Sequence, residues 1–319
     1  MPEGKNIFYF SRARTALKYG LQALDLKEGQ EILIPDFICD SIFQPIIQNS
    51  LNYRTYNLNE SLKPDWDSLN YLVSENTKAI LMVHYFGQPQ DTAKFVEFAN
   101  SNNLFLIEDN AHGHKGLLDG KELGTFGHIG ISSPRKFLNI IDGGKLYLND
   151  ADKSLDNLLL ESSSDPKRPK KISLYLDNYP KLKNKIRLLL KVRPDYEDPL
   201  SFQESFSEDL LLNKNVLKII ESSDWEKIAF KRREKFNYYR DLTIEKGLKP
   251  VYEEPHFESN PWCFAAYTAD EKERNFWFDW GWKNNVSIFS WPTLRPDQLT
   301  ADNIAFKRWQ RLVCFSTYD

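Results

Sequence analysis

Cysteine is scarce in this sequence, with three residues among 319. Cys39, Cys263 and Cys314 are odd in number and widely spaced, and none belongs to a Cys-x-x-Cys pair. A disulfide framework needs an even set of cysteines, and structural zinc sites use closely spaced pairs of ligands. The sequence therefore indicates neither a disulfide-stapled secreted domain nor a zinc site, and we expect no bound metal.

Long apolar runs and an excess of positive charge are also missing. No run of about 18 apolar residues occurs, so the sequence predicts no transmembrane helix. Residues 1–5 lack the basic and apolar regions of a signal peptide. The 42 Lys and Arg against 45 Asp and Glu give a net charge of −3, without the basic surplus typical of nucleic-acid binding. We expect a soluble, cytoplasmic protein that does not bind nucleic acid.

The composition that remains is ordinary globular usage. Hydrophobic residues make up 41%, charged residues 27% and aromatic residues 14%. These values exclude the disordered and fibrous classes. The length is about twice the ~150 residues usual for one domain, so one large domain or two are expected.

The first half of the chain alternates between helical and strand patterns. The spacing of its apolar residues predicts helices over 15–26 and 92–99. Short apolar runs predict strands at residues 31–34, 79–83, 104–107, 129–132 and 145–148. Strands separated by helices imply right-handed crossovers, and continuous apolar runs are typical of strands buried on both faces. The first half therefore predicts an α/β fold with a mostly parallel central sheet.

The pattern changes after residue 150. Residues 163–195 contain ten Lys or Arg and three Asp, a local charge of +7. We interpret 151–200 as a solvated, partly helical excursion, with a basic arm that contacts substrate, partner or membrane phosphates as the alternative. A helical pattern and an aromatic-rich tail follow. We expect a large domain over 1–200 and a small α+β domain over 201–319.

Three short segments carry residues suited to chemistry. Residues 107–112 place Glu-Asp-Asn-Ala-His at the carboxyl end of a buried strand, where parallel α/β sheets bind ligands. Residues 132–136 read Ser-Ser-Pro-Arg-Lys and precede the Gly-Gly pair at 143–144, and residues 11–17 open the first helix. Each segment has an ordinary explanation as a capping acid, a structural histidine, a surface lysine, a turn or a well-capped helix.

Taken together, the segments suit pyridoxal phosphate. This cofactor needs a lysine for a Schiff base, an acid beside its pyridinium nitrogen and hydrogen-bond donors for its phosphate. A helix N-terminus supplies N–H groups to a phosphate. The residues alone favour this chemistry and leave the ordinary explanations open.

The same segments resemble the DegT/DnrJ/StrS-type sugar aminotransferases, which are fold-type I pyridoxal-phosphate enzymes. The matching segments, in order along somewhat under half of the chain, are residues 14–17, 29–35, 77–80, 83–89, 107–112, 136 and 143–144. The resemblance implies a mostly parallel central sheet flanked by helices, with a smaller C-terminal α+β domain. It also implies a homodimer, because the active site of this fold lies between subunits.

The resemblance assigns a role to each matching site residue. Lys136 is similar to the lysine that bonds to the cofactor and later moves a proton between the cofactor and the substrate carbon. Asp109 matches the partner of the pyridinium nitrogen, and His112 a position near the ring hydroxyl that is often Gln. Ala13 and Arg14 match a Gly-Thr or Gly-Ser pair whose backbone N–H groups hold the phosphate.

The sequence also departs from the family pattern. The stretch before the lysine is two residues shorter, which places Ser133, or alternatively Ser132, in the role of a phosphate-binding serine. Cys39 stands where an aromatic ring often stacks on the cofactor, with Phe37 as a candidate substitute. No Asn-Tyr-Arg segment is evident near residues 202–210, where family members reach the partner subunit's phosphate.

These features predict an aminotransferase that converts a keto sugar, nucleotide-linked, to an amino sugar for surface polysaccharides or antibiotics, with glutamate as amino donor. Phe289 and Trp291 are candidate lining of the substrate pocket, although core packing is the favoured role. One alternative is a cofactor-binding homologue without transaminase activity, such as a regulator. Another is a pyridoxal-phosphate sugar lyase or dehydratase. Similar sugar dehydratases replace the lysine with His, so Lys136 favours transamination.

Overall fold

The computed structural model of this chain describes residues 6–150 and 209–318, together with positions 155, 160, 161, 186 and 189. The predicted excursion over 151–200, its basic segment 163–195 and the predicted domain boundary at 200 lie outside the described residues. Most of residues 202–210, where family members have the Asn-Tyr-Arg segment that reaches the partner subunit's phosphate, also lie outside the described residues.

The described strands are β1 (Asn6–Phe10), β2 (Glu31–Pro35), β3 (Asn52–Tyr56), β4 (Thr77–Val83), β5 (Phe105–Asn110), β6 (Leu117–Leu118), β7 (Lys121–Glu122), β8 (Ile129–Ser132), β9 (Gly144–Leu148), β10 (Lys249–Pro250), β11 (Cys263–Tyr267), β12 (Ile288–Phe289) and β13 (Leu312–Ser316). The described helices are α1 (Ala13–Ala23), α2 (Phe43–Gln48), α3 (Trp66–Asn70), α4 (Thr92–Ser101), α5 (Lys214–Ser222), α6 (Trp225–Ile244), α7 (Glu271–Asn284) and α8 (Ile304–Trp309). Single 3-10 turns lie at Asp40–Ile42, Tyr85–Gly87, Pro134–Lys136 and Pro296–Gln298.

Seven strands form the large sheet, in the order β1-β9-β8-β5-β4-β2-β3. β3, β2, β4, β5 and β8 pair in parallel, whereas β9 pairs antiparallel with both β8 and β1. Every residue of β2, β8 and β9 is buried, as expected for strands covered on both faces. The predicted mostly parallel central sheet flanked by helices is confirmed.

The predicted elements of the first half are present with small changes at their ends. The helix predicted over 15–26 spans Ala13–Ala23, and the helix predicted over 92–99 spans Thr92–Ser101. All five predicted strands occur, as β2, β4, β5, β8 and β9. The sequence analysis missed β1 and β3, which form the two edges of the sheet. β3 is mostly polar and exposed, which removes the apolar pattern on which strand prediction depends. β1 does contain an apolar run, at residues 7–10, so its pattern was available and was overlooked.

The C-terminal part contains a second sheet, antiparallel in the order β10-β11-β13-β12. One of its faces packs against α6 and α7 through a separate apolar cluster that includes Phe236, Phe264, Trp277 and Phe315. This arrangement confirms the predicted smaller C-terminal sheet domain. Among the described helices, none combines the length and the apolar character required to cross a bilayer.

Candidate active site

A cavity of about 350 Å³ lies where the carboxyl ends of β4, β5 and β8 meet the C-terminal domain. Seven of the eight residues that the family resemblance assigns to the cofactor site contribute to its wall. They are Ala13, Arg14, Cys39, Asp109, His112, Ser133 and Lys136. The eighth, Ser132, is fully buried and does not line the cavity.

Asp109 reaches the cavity because it lies near the carboxyl end of β5, flanked by Val83 of β4 and Ile131 of β8. The Ala111 N–H donates to its Oδ1 at 2.8 Å, which orients the carboxyl group. Burial raises the pKa of Asp109, while this hydrogen bond and the nearby Lys136 act in the opposite direction. A positive partner inside the cavity would therefore offset the unfavourable burial of this carboxylate.

Lys136 enters the cavity from the 3-10 turn that follows β8. Its Nζ lies 4.3 Å from the ring centroid of Trp262. Burial lowers the pKa of Lys136 from 10.5 to about 8, although the Cys39 thiol and Asp109 carboxyl act to raise it. At pH 8 about half of these amines are uncharged, whereas an amine with the ordinary pKa would be less than ~1% uncharged. Lys136 is therefore a usable nucleophile and base near neutral pH.

His112 is held as a neutral ring between aromatic neighbours. Its centroid lies 4.4 Å from Trp262 and 6.0 Å from Phe86, with interplanar angles of 27° and 4°. The Phe86 N–H donates to His112 Nδ1 at 3.3 Å. Burial holds the pKa of His112 well below its ordinary value. Since Nδ1 accepts a hydrogen bond, the proton of the neutral ring lies on Nε2, which makes that nitrogen a donor.

The N-terminus of α1 forms another part of the wall. Its first N–H groups have no acceptor within the helix, and the N-cap residue, Arg12, provides no side-chain cap. Instead, the Arg12 guanidinium donates to Asp142 Oδ1 at 2.8 Å and to the Ile141 carbonyl at 2.6 Å. A Cβ built on Gly144 would lie 2.2 Å from the Arg12 carbonyl carbon, so only glycine lets β9 approach the start of this helix.

Cys39 lies in the wall, with its Sγ 3.1 Å from Thr293 Oγ1. Phe37, the candidate aromatic substitute, is fully buried outside the wall and packs edge-on against Trp291 at 5.4 Å. Phe289 and Trp291 line the cavity and also pack into the core, so the two roles weighed for them are combined.

Sequence reasoning missed two features of the site. Trp262 of the C-terminal domain contacts both Lys136 and His112, and no local motif marks it. Glu108, next to Asp109, fixes the loop before β8: its carboxylate accepts hydrogen bonds from the backbone N–H groups of residues 124, 126 and 127. His84 Nδ1 accepts from the Gln90 N–H, so its Nε2–H donates to Glu108 Oε1 at 2.8 Å. The acid pair after the apolar run was the available signal for Glu108.

The large sheet, the smaller C-terminal sheet and the cavity between them define the fold of the fold-type I pyridoxal-phosphate enzymes. The model of the DegT/DnrJ/EryC1/StrS aminotransferase family matches residues 5–173. The chain belongs to this family, as the resemblance in the sequence predicted.

Two curated relatives match part of the chain. GDP-perosamine synthase of Escherichia coli O157:H7 is 32% identical over 148 residues, which cover 44% of this chain and 39% of that protein. GDP-4-keto-6-deoxy-D-mannose 3-dehydratase of Yersinia pseudotuberculosis is 32% identical over 108 residues, which cover 34% of this chain and 28% of that protein. The matched region thus spans well under half the length of these relatives.

A solved structure extends the likeness over the whole fold. The crystal structure of GDP-4-keto-6-deoxymannose-3-dehydratase with a trapped PLP-glutamate geminal diamine aligns with a TM-score of 0.68. The alignment covers 98% of this chain and 84% of that one, at 18% sequence identity. At this identity the likeness establishes the fold and carries no residue roles.

Proposed function

We propose that this protein is a pyridoxal-phosphate-dependent aminotransferase that converts a nucleotide-linked keto sugar to an amino sugar, with glutamate as amino donor. The observation that carries the proposal is the presence of Lys136, Asp109 and His112 in the wall of one cavity. Family membership supports the reaction class. The relatives named as GDP-perosamine synthase and as a dTDP-sugar 4-aminotransferase support a nucleotide-sugar substrate.

The residues present fit pyridoxal phosphate. The cavity volume of about 350 Å³ lies within the range of small-molecule sites. The buried Asp109 carboxyl, whose pKa is raised by burial, gains a partner if it lies against the pyridinium nitrogen. The N-terminus of α1 lies in the cavity wall and has no side-chain cap, which suits the binding of a phosphate group.

The cofactor, when bound, supplies an aldehyde for the lysine and an electron-accepting ring that stabilises a substrate carbanion. Lys136 would bond to that aldehyde and, once released, take a proton from the carbon that bears the nitrogen of the amino donor and deliver it to the former aldehyde carbon of the cofactor. Asp109 would keep the ring nitrogen protonated. The Nε2–H of His112 would donate to the ring hydroxyl, since its Nδ1 is occupied by the Phe86 N–H.

At the phosphate end, the N–H groups of Ala13 and Arg14 and the hydroxyl of Ser133 would hold the anion. Ser133 is favoured over Ser132 because it lines the cavity and Ser132 does not. Cys39 would contact the cofactor where other family members use an aromatic ring. Phe289 and Trp291 provide an apolar surface on which a sugar ring can pack.

The homodimer and the amino donor belong to the same proposal. A homodimer is the expected assembly, since fold-type I sites lie between subunits, and the division into domains near residue 200 follows the same family pattern. Glutamate as donor is consistent with the PLP-glutamate adduct trapped in a solved structure of the same fold.

A second candidate function is a sugar dehydratase that uses the same cofactor. The observation in its favour is the match to GDP-4-keto-6-deoxy-D-mannose 3-dehydratase at 32% identity over 108 residues. Lys136 favours transamination, because it provides an amine that can move a proton between the cofactor and the substrate carbon. A homologue that binds the cofactor without turnover is the remaining alternative.

The deciding experiment follows the fate of nitrogen. Protein loaded with pyridoxal phosphate is mixed with ¹⁵N-glutamate, and the visible band of the bound cofactor is recorded. GDP- and dTDP-linked 4-keto-6-deoxy sugars are then added and the products are examined by mass spectrometry. An aminotransferase loses the band with glutamate and releases a ¹⁵N-labelled amino sugar, and Lys136→Ala does neither. A deoxygenated sugar without ¹⁵N indicates a dehydratase, whereas a band that no amino donor changes indicates the non-catalytic homologue.

A further inference from the structure

Trp262 touches the two side chains proposed to serve neighbouring positions of the cofactor. Its ring centroid lies 4.3 Å from Lys136 Nζ and 4.4 Å from the centroid of the His112 imidazole. Lys136 is assigned to the aldehyde carbon and His112 to the ring hydroxyl, and these substituents occupy adjacent carbons of the pyridine ring. The indole therefore lies at that side of the proposed cofactor position.

The backbone of Trp262 is hydrogen-bonded to both domains. Its backbone N–H donates to the Phe86 carbonyl of the large domain at 3.0 Å. Its own carbonyl accepts from Thr317 Oγ1 of the small domain at 2.8 Å. The ring also packs against Phe289, with centroids 4.8 Å apart. The backbone bonds therefore fix where the side chain begins, and the rings of Phe289 and His112 pack against the indole.

We propose that Trp262 is a positioning residue, whose aromatic face holds the amino group of Lys136 at the reacting side of the cavity. The contact has the geometry of a cation–π interaction, which attracts an ammonium group to the face of an indole. This inference rests on the proposed function, because only that function gives Lys136 a role in reacting with the cofactor.

Several groups around Lys136 influence the pKa of its amine, and the effect of the indole adds to theirs. Asp109 and the Cys39 thiol act to raise the pKa of Lys136, as does Cys263 of β11, while Arg135 and burial lower it. The guanidinium of Arg232 in α6 donates to the Lys136 carbonyl at 3.5 Å. His112, whose pKa lies well below its ordinary value, contributes no positive charge near neutral pH. The π face favours the ammonium form and so opposes the effect of burial on the pKa of Lys136.

Two substitutions and a matched control test this contact. Trp262→Leu keeps an apolar wall and removes the π face, whereas Trp262→Phe keeps a weaker one. Trp66→Leu is the control, since Trp66 carries a comparable contact with Lys94 Nζ at 4.9 Å and lies outside the cavity wall. Trace acetylation of the cofactor-free protein at a series of pH values, mapped by mass spectrometry, gives the midpoint for the Lys136 peptide.

The Lys136 midpoint is expected to fall by about 0.5 to 1 pH unit in Trp262→Leu and by less in Trp262→Phe. It should not change in Trp66→Leu. A wild-type midpoint in Trp262→Leu overturns the inference, and if that variant does not fold, a wild-type midpoint in Trp262→Phe does so. The measurement needs no cofactor. A wild-type protein that forms no visible band with pyridoxal phosphate therefore contradicts the proposed function, separately from the result for Trp262.

Discussion

Ser132 and Ser133 are consecutive in the chain, but only Ser133 lines the cavity. Ser132 ends β8, and its hydroxyl lies 2.8 Å from Nδ1 of the buried His114. Ser133 begins the turn that carries Lys136, and its hydroxyl donates to the Gly143 carbonyl at 3.4 Å. The strand end therefore separates a serine that stabilises the core from one that can reach a ligand.

Alanine substitutions at these two positions are expected to affect different properties, cofactor binding at Ser133 and stability at Ser132. Ser133→Ala should weaken pyridoxal-phosphate binding by about 10- to 100-fold, because a hydrogen bond to a charged group is lost. Ser132→Ala should bind normally but lose about 1–3 kcal/mol of unfolding free energy, since the buried His114 Nδ1 loses its partner. Cofactor titration and urea unfolding measure both quantities. Weaker binding in Ser132→Ala with normal binding in Ser133→Ala would reverse the assignment.

Covalent capture of the cofactor should depend on pH through Lys136. The uncharged amine reacts with the aldehyde, and burial lowers the pKa of Lys136 to about 8. The rate of band formation in the cofactor-free protein should therefore rise with pH and level off above about pH 8 to 9. An exposed lysine in a model peptide is the control, and its rate should keep rising towards pH 10.5. A protein rate that follows the peptide would show that Lys136 is not the capturing amine, and Lys136→Arg should abolish capture.

Two substitutions at His112 separate its hydrogen bonds from its aromatic packing. Gln can accept from the Phe86 N–H and donate into the cavity, as the neutral imidazole does, whereas Leu can do neither. We expect His112→Gln to keep cofactor affinity within a few-fold. His112→Leu should lose about 5- to 30-fold and shift the visible band, because the ring hydroxyl loses a donor. Equal loss in both variants would indicate that stacking between Phe86 and Trp262 is the main contribution of His112.

The sequence was sufficient to predict those strands and site residues that are marked by a pattern of neighbouring residues. The buried strands β2, β4 and β5 contain continuous apolar runs. Asp109 lies near the carboxyl end of β5, and Lys136 lies in the turn that follows β8. Edge strand β3 was missed because its residues are mostly polar and exposed. The choice between Ser132 and Ser133 depended on where β8 ends, which apolar patterns locate only to within a few residues.

Contacts between distant parts of the chain could not be predicted in this way. Trp262 reaches Lys136 from the other half of the sequence, where no residue spacing marks it. The pair of Glu108 with His84 depends on the packing of β4 beside β5. Such contacts depend on the order of the strands in the sheet, and the apolar pattern of each strand does not determine that order.

Asp36, directly after β2, joins the large domain to α8 of the small domain. Its carboxyl is only 13% exposed, and it faces Arg308 at 3.6 Å. Arg308 also donates to the Leu58 carbonyl at 2.8 Å. Burial raises the pKa of Asp36 from 3.8 to about 6, and the Arg308 guanidinium only partly opposes this. Neither carboxylate oxygen makes a hydrogen bond of good geometry, although the backbone N–H groups of Leu58 and Phe37 also act to lower the pKa of Asp36.

Stability should therefore fall as the pH rises from about 4 to 6. In this window the folded chain keeps a proton on Asp36 that the unfolded chain releases, so raising the pH favours unfolding. We expect the unfolding free energy of the wild type, relative to Asp36→Asn, to decrease by about 2–3 kcal/mol across the window. Urea unfolding at several pH values measures this difference. Arg308→Gln should move the decrease to higher pH, because the guanidinium that lowers the pKa of Asp36 is lost. Parallel curves for the wild type and Asp36→Asn would mean that Asp36 ionises alike in the folded and unfolded chains.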